Sequence, residues 1–257
     1  YEMLTADGKT WENPAVGYQL RDDGMPLPYI DNTVRVFLGT QVGCAQCHDH
    51  PFDQWTQYQF YELAAFTAGT RTRIQRGSPG YKKQNPANLL INEARKHHEN
   101  GRVPGQFQRL ARANTYSVSE VKATMRLPHD YAYEDAKPKA VVEPAVLWGE
   151  VPTKAQGSSP REQFAAWVTS ADNPQFSKTI ANRLWKRFMG VGMVEPIDDF
   201  RDEHPCVNEE LMEVLCAELI RTDFDLKELM RVILYSDTYQ RVASDYDITS
   251  GEKYYFP

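Results

Sequence analysis

The sequence contains few of the features that mark the commonest enzyme and membrane classes. It has no apolar run long enough to cross a bilayer, no glycine-rich phosphate loop and no zinc-protease motif. Lys and Arg number 29 against 35 Asp and Glu, which gives a formal net charge of −6. This negative balance argues against a general attraction to nucleic acid. No arrangement of Ser, His and Asp predicts a hydrolytic mechanism.

Cysteine is scarce, with four in 257 residues, yet two of the four form the most informative motif in the chain. Cys44 and Cys47 are followed directly by His48, which completes Cys-x-x-Cys-His, the attachment signature of a c-type haem. In such a site two thiols bond to one porphyrin, and the histidine ligates the iron from the proximal side. The motif therefore predicts haem c as the cofactor, attached at Cys44 and Cys47, with His48 as proximal ligand.

Two other interpretations of the motif remain open. Zinc prefers Cys and His ligands, and residues 44–50 contain two of each, although four ligands in so short a segment would be crowded. A redox disulfide between Cys44 and Cys47 is the third interpretation, but the βαβ context usual for it is not apparent. The remaining cysteines, Cys206 and Cys216, either pair as a disulfide or serve as small buried side chains.

Other residues are candidates for the haem environment. His50 follows His48 too closely to reach the opposite face of the same haem. We expect it to lie in the haem environment, where it hydrogen-bonds a propionate or the backbone, or to ligate a second centre. Phe52 and Trp55 are the candidates to flank the haem. The distal ligand sets the potential and decides whether the iron is open to substrate. We expect His129 at that position, and the alternatives are His97, His98, His204 and the Met residues.

These residues support three functional hypotheses. The first is an exported protein that transfers electrons to or from a redox partner protein. The second is a haem-dependent redox enzyme with an open distal site. The third is a structural or interaction protein that binds zinc at the Cys/His cluster. Thioether attachment of haem takes place outside the cytoplasm, so the first two predict a periplasmic or extracellular location.

Hydrophobic periodicity predicts a mainly α protein with a small β element at about residues 115–149. We expect three consecutive parts: a haem-motif, cytochrome c-like segment at 1–70, an irregular connecting region with the β element at 71–150, and a C-terminal helical domain at 151–257. Within the β element, short strands are expected at 131–133, 141–142 and 146–148.

The helix boundaries follow from capping signals. Residues 1–30 are expected to be mostly loop, and a helix capped by Asn32 is expected to carry the haem motif at its C-terminal end. Thr56 and Gln59 form a capping box that predicts a helix to about residue 68. Four further helices are predicted by N-cap residues that precede apolar periodic segments, namely Ser159, Asn173, Asn208 and Asp225.

Several segments resemble a known family, the planctomycete-type cytochrome c domain proteins. The similar segments include the haem motif and much of the C-terminal part, and they are residues 36–55, 127–131, 135–138, 172–174, 181–185, 190–201 and 223–227. The resemblance extends over residues 30–68 and 125–240. Residues 203–206, with Cys206, depart from the family pattern.

The resemblance implies an exported haem protein in which the haem-motif domain is followed by a helical domain. Members of this family extend in both directions, so we expect this chain to be a fragment of a longer protein. The other domains of that longer chain are then expected partners, and nucleic acid is not. The resemblance implies no substrate.

Overall fold

The computed structural model describes residues 1–10, 12–73, 86–98, 100–113 and 116–241. It confirms a mainly α protein with a small β element. Parts of two predicted segments, residues 74–85 of the connecting region and 242–257 of the C-terminal domain, lie outside the described residues. The three-part division of the chain stays a prediction.

Helices account for most of the regular structure. The α-helices are α1 (Glu2–Thr5), α2 (Val16–Leu20), α3 (Pro26–Leu38), α4 (Gln57–Ala65), α5 (Pro86–Lys96), α6 (Gly105–Ala113), α7 (Pro160–Val168), α8 (Pro174–Met189), α9 (Glu209–Arg221) and α10 (Leu226–Leu234). Short 3₁₀ helices occur at Gly43–Gln46 and Thr153–Ala155. The strands are β1 (Gly8–Lys9), β2 (Thr70–Arg73), β3 (Tyr116–Glu120), β4 (Met125–Arg126) and β5 (Val141–Val142).

The chain divides into two compact units, each built from two separate segments. The first unit comprises Tyr1–Ile30 and Thr56–Ala166, and the second comprises Asp31–Trp55 and the chain from Trp167 onward. The haem motif therefore shares a unit with the C-terminal helices and not with the residues that precede α3.

The first unit is organised around a three-stranded antiparallel sheet in the order β1-β3-β2. β4 pairs with β5 in a separate antiparallel ladder, and α4 packs on both of these strands. Arg161, only 2 % exposed, forms ion pairs with Asp7 and Glu120. These contacts join the start of α7 to the segment before β1 and to the end of β3, because a buried guanidinium needs anionic partners.

The second unit packs α8, α9 and α10 against one another. Each helix begins at the N-cap that the sequence predicts, since the side chains of Asn173, Asn208 and Asp225 accept hydrogen bonds from backbone N–H groups of the first turn. The apolar faces meet in one core cluster, whose fully buried members are Ala181, Met212, Leu219 and Leu229.

Four local expectations are wrong. Residues 1–30 contain two helices and a strand, and α3 begins at Pro26 rather than after Asn32. The haem motif is not on the end of α3, because that helix stops at Leu38 and a separate 3₁₀ helix follows. Strands are absent at 131–133 and 146–148, all of which are described residues.

None of the described helices combines the length and the apolar composition that a membrane crossing requires.

Candidate haem-attachment site

The segment that leads into the motif leaves α3 through a left-handed residue. Gly39 has φ +59°, which favours glycine because a Cβ is unfavourable in that conformation. The space around it is closed as well. A Cβ at this position would lie 2.5 Å from Phe200 Cδ2 and 2.9 Å from Thr179 Oγ1. The ring of Phe200 thus packs directly on the Gly39 backbone, and the Phe200 N–H donates to the Gly39 carbonyl at 2.9 Å.

Two arginines connect the end of α3 to α8 and to the loop that follows α8 in the same unit. Arg183 on α8 donates to the carbonyls of Val36 and Arg35, two of the acceptors that the end of a helix leaves unpaired. Arg35 in turn pairs with Asp198 at 2.6 Å, a contact that raises the pKa of the Arg35 guanidinium. Partial burial lowers the pKa of Arg183. The start of the motif is therefore fixed by long-range contacts rather than by its own sequence.

Cys44 and Cys47 lie on and just after the 3₁₀ helix Gly43–Gln46, and both are exposed free thiols. The Cys47 N–H donates to the Cys44 carbonyl at 3.3 Å, so the two residues belong to one tight turn. The turn is anchored by Ala45, which is fully buried between them. Both thiols thus remain accessible while the backbone between them is held in place.

Gly43 begins this turn beside a carboxylate. A Cβ on Gly43 would lie 2.7 to 2.9 Å from the carboxyl atoms of Asp31. Only glycine leaves room for that carboxylate against the backbone. An anion at the start of a helical turn also interacts favourably with its N–H groups.

His48 is exposed, and its imidazole lies beside a backbone carbonyl. Nδ1 lies 2.6 Å from the carbonyl oxygen of Asp49. A carbonyl can only accept, so Nδ1 is the donor in this contact, and the neutral ring then has its lone pair on Nε2. This is the arrangement in which a histidine ligates a metal through Nε2 while a backbone carbonyl orients the ring.

A closed turn follows the motif and fixes His50. The His50 N–H donates to the Trp55 carbonyl at 2.8 Å, and the Phe52 N–H donates to His50 Nδ1 at 3.2 Å. Trp55 is buried in the second unit, whereas Phe52 is 68 % exposed. The expected haem contacts of these three residues stay predictions, and of the two aromatic rings Phe52 is the accessible one.

The candidates for the distal ligand are divided between the two units. Three of them are exposed residues of the first unit, namely His97, His98 and His129. His129 Nδ1 lies 3.7 Å from Asp130, and His97 pairs with Glu93 at 3.4 Å. His204 belongs to the second unit, where Nδ1 lies 3.1 Å from Asp199 Oδ2. The assignment of His129 as distal ligand stays a prediction.

Cys206 and Cys216 differ from the motif cysteines. Both are free thiols that pack, partly buried, against the core cluster of the second unit. Burial raises the pKa of each thiol, which lowers its thiolate content and its reactivity. These residues serve as apolar packing groups in this structure.

The donor set of the motif fits a c-type haem. Covalent attachment requires two accessible thiols and one imidazole with a lone pair on Nε2, which Cys44, Cys47 and His48 provide. Zinc would need a converging set of ligands. Within the described parts of the chain, no three His, Cys, Asp or Glu side chains come together in a metal-binding group.

Sequence reasoning missed the residues that hold the motif in place. Gly39, Arg183, Asp198 and Phe200 act over long sequence separations, so periodicity does not reveal them. The only signal available was their position inside the family-like segments 36–55, 181–185 and 190–201.

Substitution of Gly39 by alanine is expected to destabilise the second unit. The added methyl group meets both the left-handed backbone and the Phe200 ring, so we expect the free energy of unfolding to fall by about 3 kcal/mol. Urea-induced unfolding measures this decrease in the free energy of unfolding.

Gly190→Ala is the matched control, because Gly190 is left-handed in the same unit but has nothing within 4 Å of an added Cβ. This control substitution should lower the free energy of unfolding by only about 1 kcal/mol. Equal losses in both variants would contradict the packing role of Phe200.

Two family models match separate parts of the chain. Residues 18–72, which include the motif, match PSCyt2, described as a protein of unknown function (DUF1549). Residues 160–253 match PSD1, also described as a protein of unknown function (DUF1553). Both are planctomycete-type domains. No curated protein and no solved structure matches the chain.

Proposed function

We propose that this chain is part of an exported c-type haem protein that transfers electrons. Haem c would be attached through Cys44 and Cys47, with His48 as the proximal ligand. The observation that carries the proposal is the combination of two exposed thiols on one turn with a histidine whose Nε2 has the lone pair.

The thiols are suited to covalent attachment because both are free and exposed. Cys44 and Cys47 would each hold the porphyrin through a carbon–sulfur bond to one vinyl group, with the thiol proton transferred to the other carbon of that vinyl group. Their exposure gives a haem-attaching enzyme access to both. The partly buried, less acidic Cys206 and Cys216 would not compete.

His48 would hold the iron from one side. Its Nδ1–H bond to the Asp49 carbonyl orients the ring and increases the basicity of Nε2. When bound, the haem supplies an iron that alternates between ferric and ferrous states, and the protein sets its potential through ligands, hydrogen bonds and burial. The exposed Phe52 beside the motif offers apolar surface for contact with the porphyrin or with a redox partner.

A periplasmic or extracellular location follows from the same proposal, because thioether formation takes place outside the cytoplasm. The proposed partners are a redox protein and further domains of a longer chain. Helix α8 and the loop that follows it would support the site by holding the end of α3, through Arg183 and Asp198.

The experiment is a pyridine haemochrome spectrum, with metal analysis on the same sample. The protein is produced in the periplasm of a host that attaches c-type haem. A c-type α-band with one iron per chain, retained after extraction with acidified acetone, is the expected result. Stoichiometric zinc without a haem band would replace the proposal by the structural zinc hypothesis.

The spin state of the ferric protein separates the two haem hypotheses. A low-spin, six-coordinate iron that does not bind carbon monoxide when reduced supports electron transfer. A high-spin iron that binds carbon monoxide readily would favour the haem enzyme with an open distal site.

A further inference from the structure

His48 and His50 are only two residues apart, yet their rings have opposite proton positions. The carbonyl oxygen next to His48 Nδ1 requires that nitrogen to donate. At His50 the neighbour is the Phe52 N–H, which requires Nδ1 to accept. A neutral imidazole that accepts at one nitrogen has its proton on the other. His48 therefore presents a lone pair at Nε2, and His50 presents an N–H.

One hydrogen bond fixes the backbone of His50 and another fixes its ring. The His50 N–H donates to the Trp55 carbonyl at 2.8 Å, which closes the turn, and His50 Nδ1 accepts from the Phe52 N–H at 3.2 Å. Among the described residues, none accepts a hydrogen bond from His50 Nε2. The ring is half-buried, so this donor is oriented by the protein but has no protein acceptor.

The charge of the segment indicates what kind of acceptor would fit. Residues 36–55 contain no Lys or Arg, and they contain two Asp. A porphyrin attached at the motif carries two propionate carboxylates. In this segment they would have no cationic side chain to pair with, and a fixed imidazole N–H is a suitable donor to a carboxylate.

We infer that His50 is not an iron ligand but the hydrogen-bond donor, through Nε2–H, to a propionate of the haem attached at Cys44 and Cys47. This inference rests on the proposed function. His50 is thus a positioning residue that orients the porphyrin edge and partly offsets the carboxylate charge near the iron. Loss of the donor leaves that charge less compensated, which favours the ferric state and lowers the reduction potential.

The first part of the test uses the protein without haem. Labelling with ¹⁵N-histidine and recording two-bond N–H correlations at about pH 8, where an ordinary imidazole is neutral, reports each proton position. We expect Nδ1–H for His48 and Nε2–H for His50. A proton on His50 Nδ1 would overturn the inference without affecting the thioether site.

The second part compares His50→Leu, His50→Gln and the wild type after haem attachment. Gln places an amide N–H2 near the position of Nε2, whereas Leu removes the donor. We expect all three to keep the c-type α-band and the ferric spin state, with a lower midpoint potential in the Leu variant and recovery towards wild type in the Gln variant.

The outcomes separate the two proposals. An unchanged potential in the Leu variant would overturn the role of His50 alone. A change of ferric ligation in both variants would also overturn it, because His50 would then be a ligand. Absence of a haem band in the wild type would refute the proposed function, and the role of His50 would fall with it.

Discussion

Replacement of Cys47 by serine is expected to shift the α-band of the reduced pyridine haemochrome to longer wavelength. Each thioether saturates one vinyl group, so a haem held by one sulfur keeps one vinyl in conjugation with the ring. With Cys44 also replaced, no covalent bond remains, and acidified acetone should extract all the haem. Absorption spectra before and after extraction measure both effects. Both effects are expected to be large because the proposed covalent attachment depends on these two thiols alone.

Serine substitutions at Cys206 and Cys216 are the matched controls. These thiols pack against the core cluster and are less acidic because of burial, so their loss should leave the haem spectrum unchanged. An unaltered α-band in Cys47→Ser would contradict the thioether site. A shift in either control would show that the haem is attached elsewhere.

Local chemistry made much of the fold predictable from sequence. Thr56 and Gln59 form the capping box that their spacing predicts, and Asn173, Asn208 and Asp225 cap their helices. The β element at 115–149 is confirmed, but its first strand, β3, pairs with β1 and β2, which lie far from it in sequence. Short-range patterns do not contain that information.

The candidate site was likewise only partly predictable from sequence. The residue types of the motif predict haem attachment, because Cys-x-x-Cys-His is a specific sequence pattern. The proton positions of His48 and His50 are not encoded in the motif itself, since they depend on which backbone group faces each ring. The end of α3 at Leu38 was also not predicted. It results from the packing of Phe200 on Gly39, and these two residues are 161 positions apart in the sequence.

Alanine in place of Asn182 is expected to have the largest effect on stability. Asn182 is fully buried on α8, and its amide satisfies three backbone groups of the following turn. Nδ2 donates to the Val194 carbonyl at 2.9 Å, and Oδ1 accepts from the N–H groups of Met193 at 2.7 Å and Val194 at 3.2 Å. Truncation leaves all three unpaired in the core. We expect the free energy of unfolding to fall by about 3–5 kcal/mol, as measured by urea-induced unfolding.

Asn208→Ala is the control for this measurement. Asn208 caps α9 from an exposed position with one hydrogen bond to the Leu211 N–H at 2.9 Å, so its loss should cost about 1 kcal/mol. A similar loss at both positions would contradict the role of Asn182 in holding the turn.

Asn182→Asp tests the same bonds by protonation. An ionised carboxylate would face the Val194 carbonyl in the core, so burial and this contact should raise its pKa in the folded state. The protonated acid can donate to that carbonyl and still accept from Met193 and Val194. The folded state then binds the proton more tightly, and stability should be highest below the unfolded pKa of about 4 and fall as the pH rises through the folded pKa. Urea unfolding from pH 4 to 8, relative to wild type at each pH, would show this trend. A pH-independent difference would mean that the amide donor is not what holds the turn.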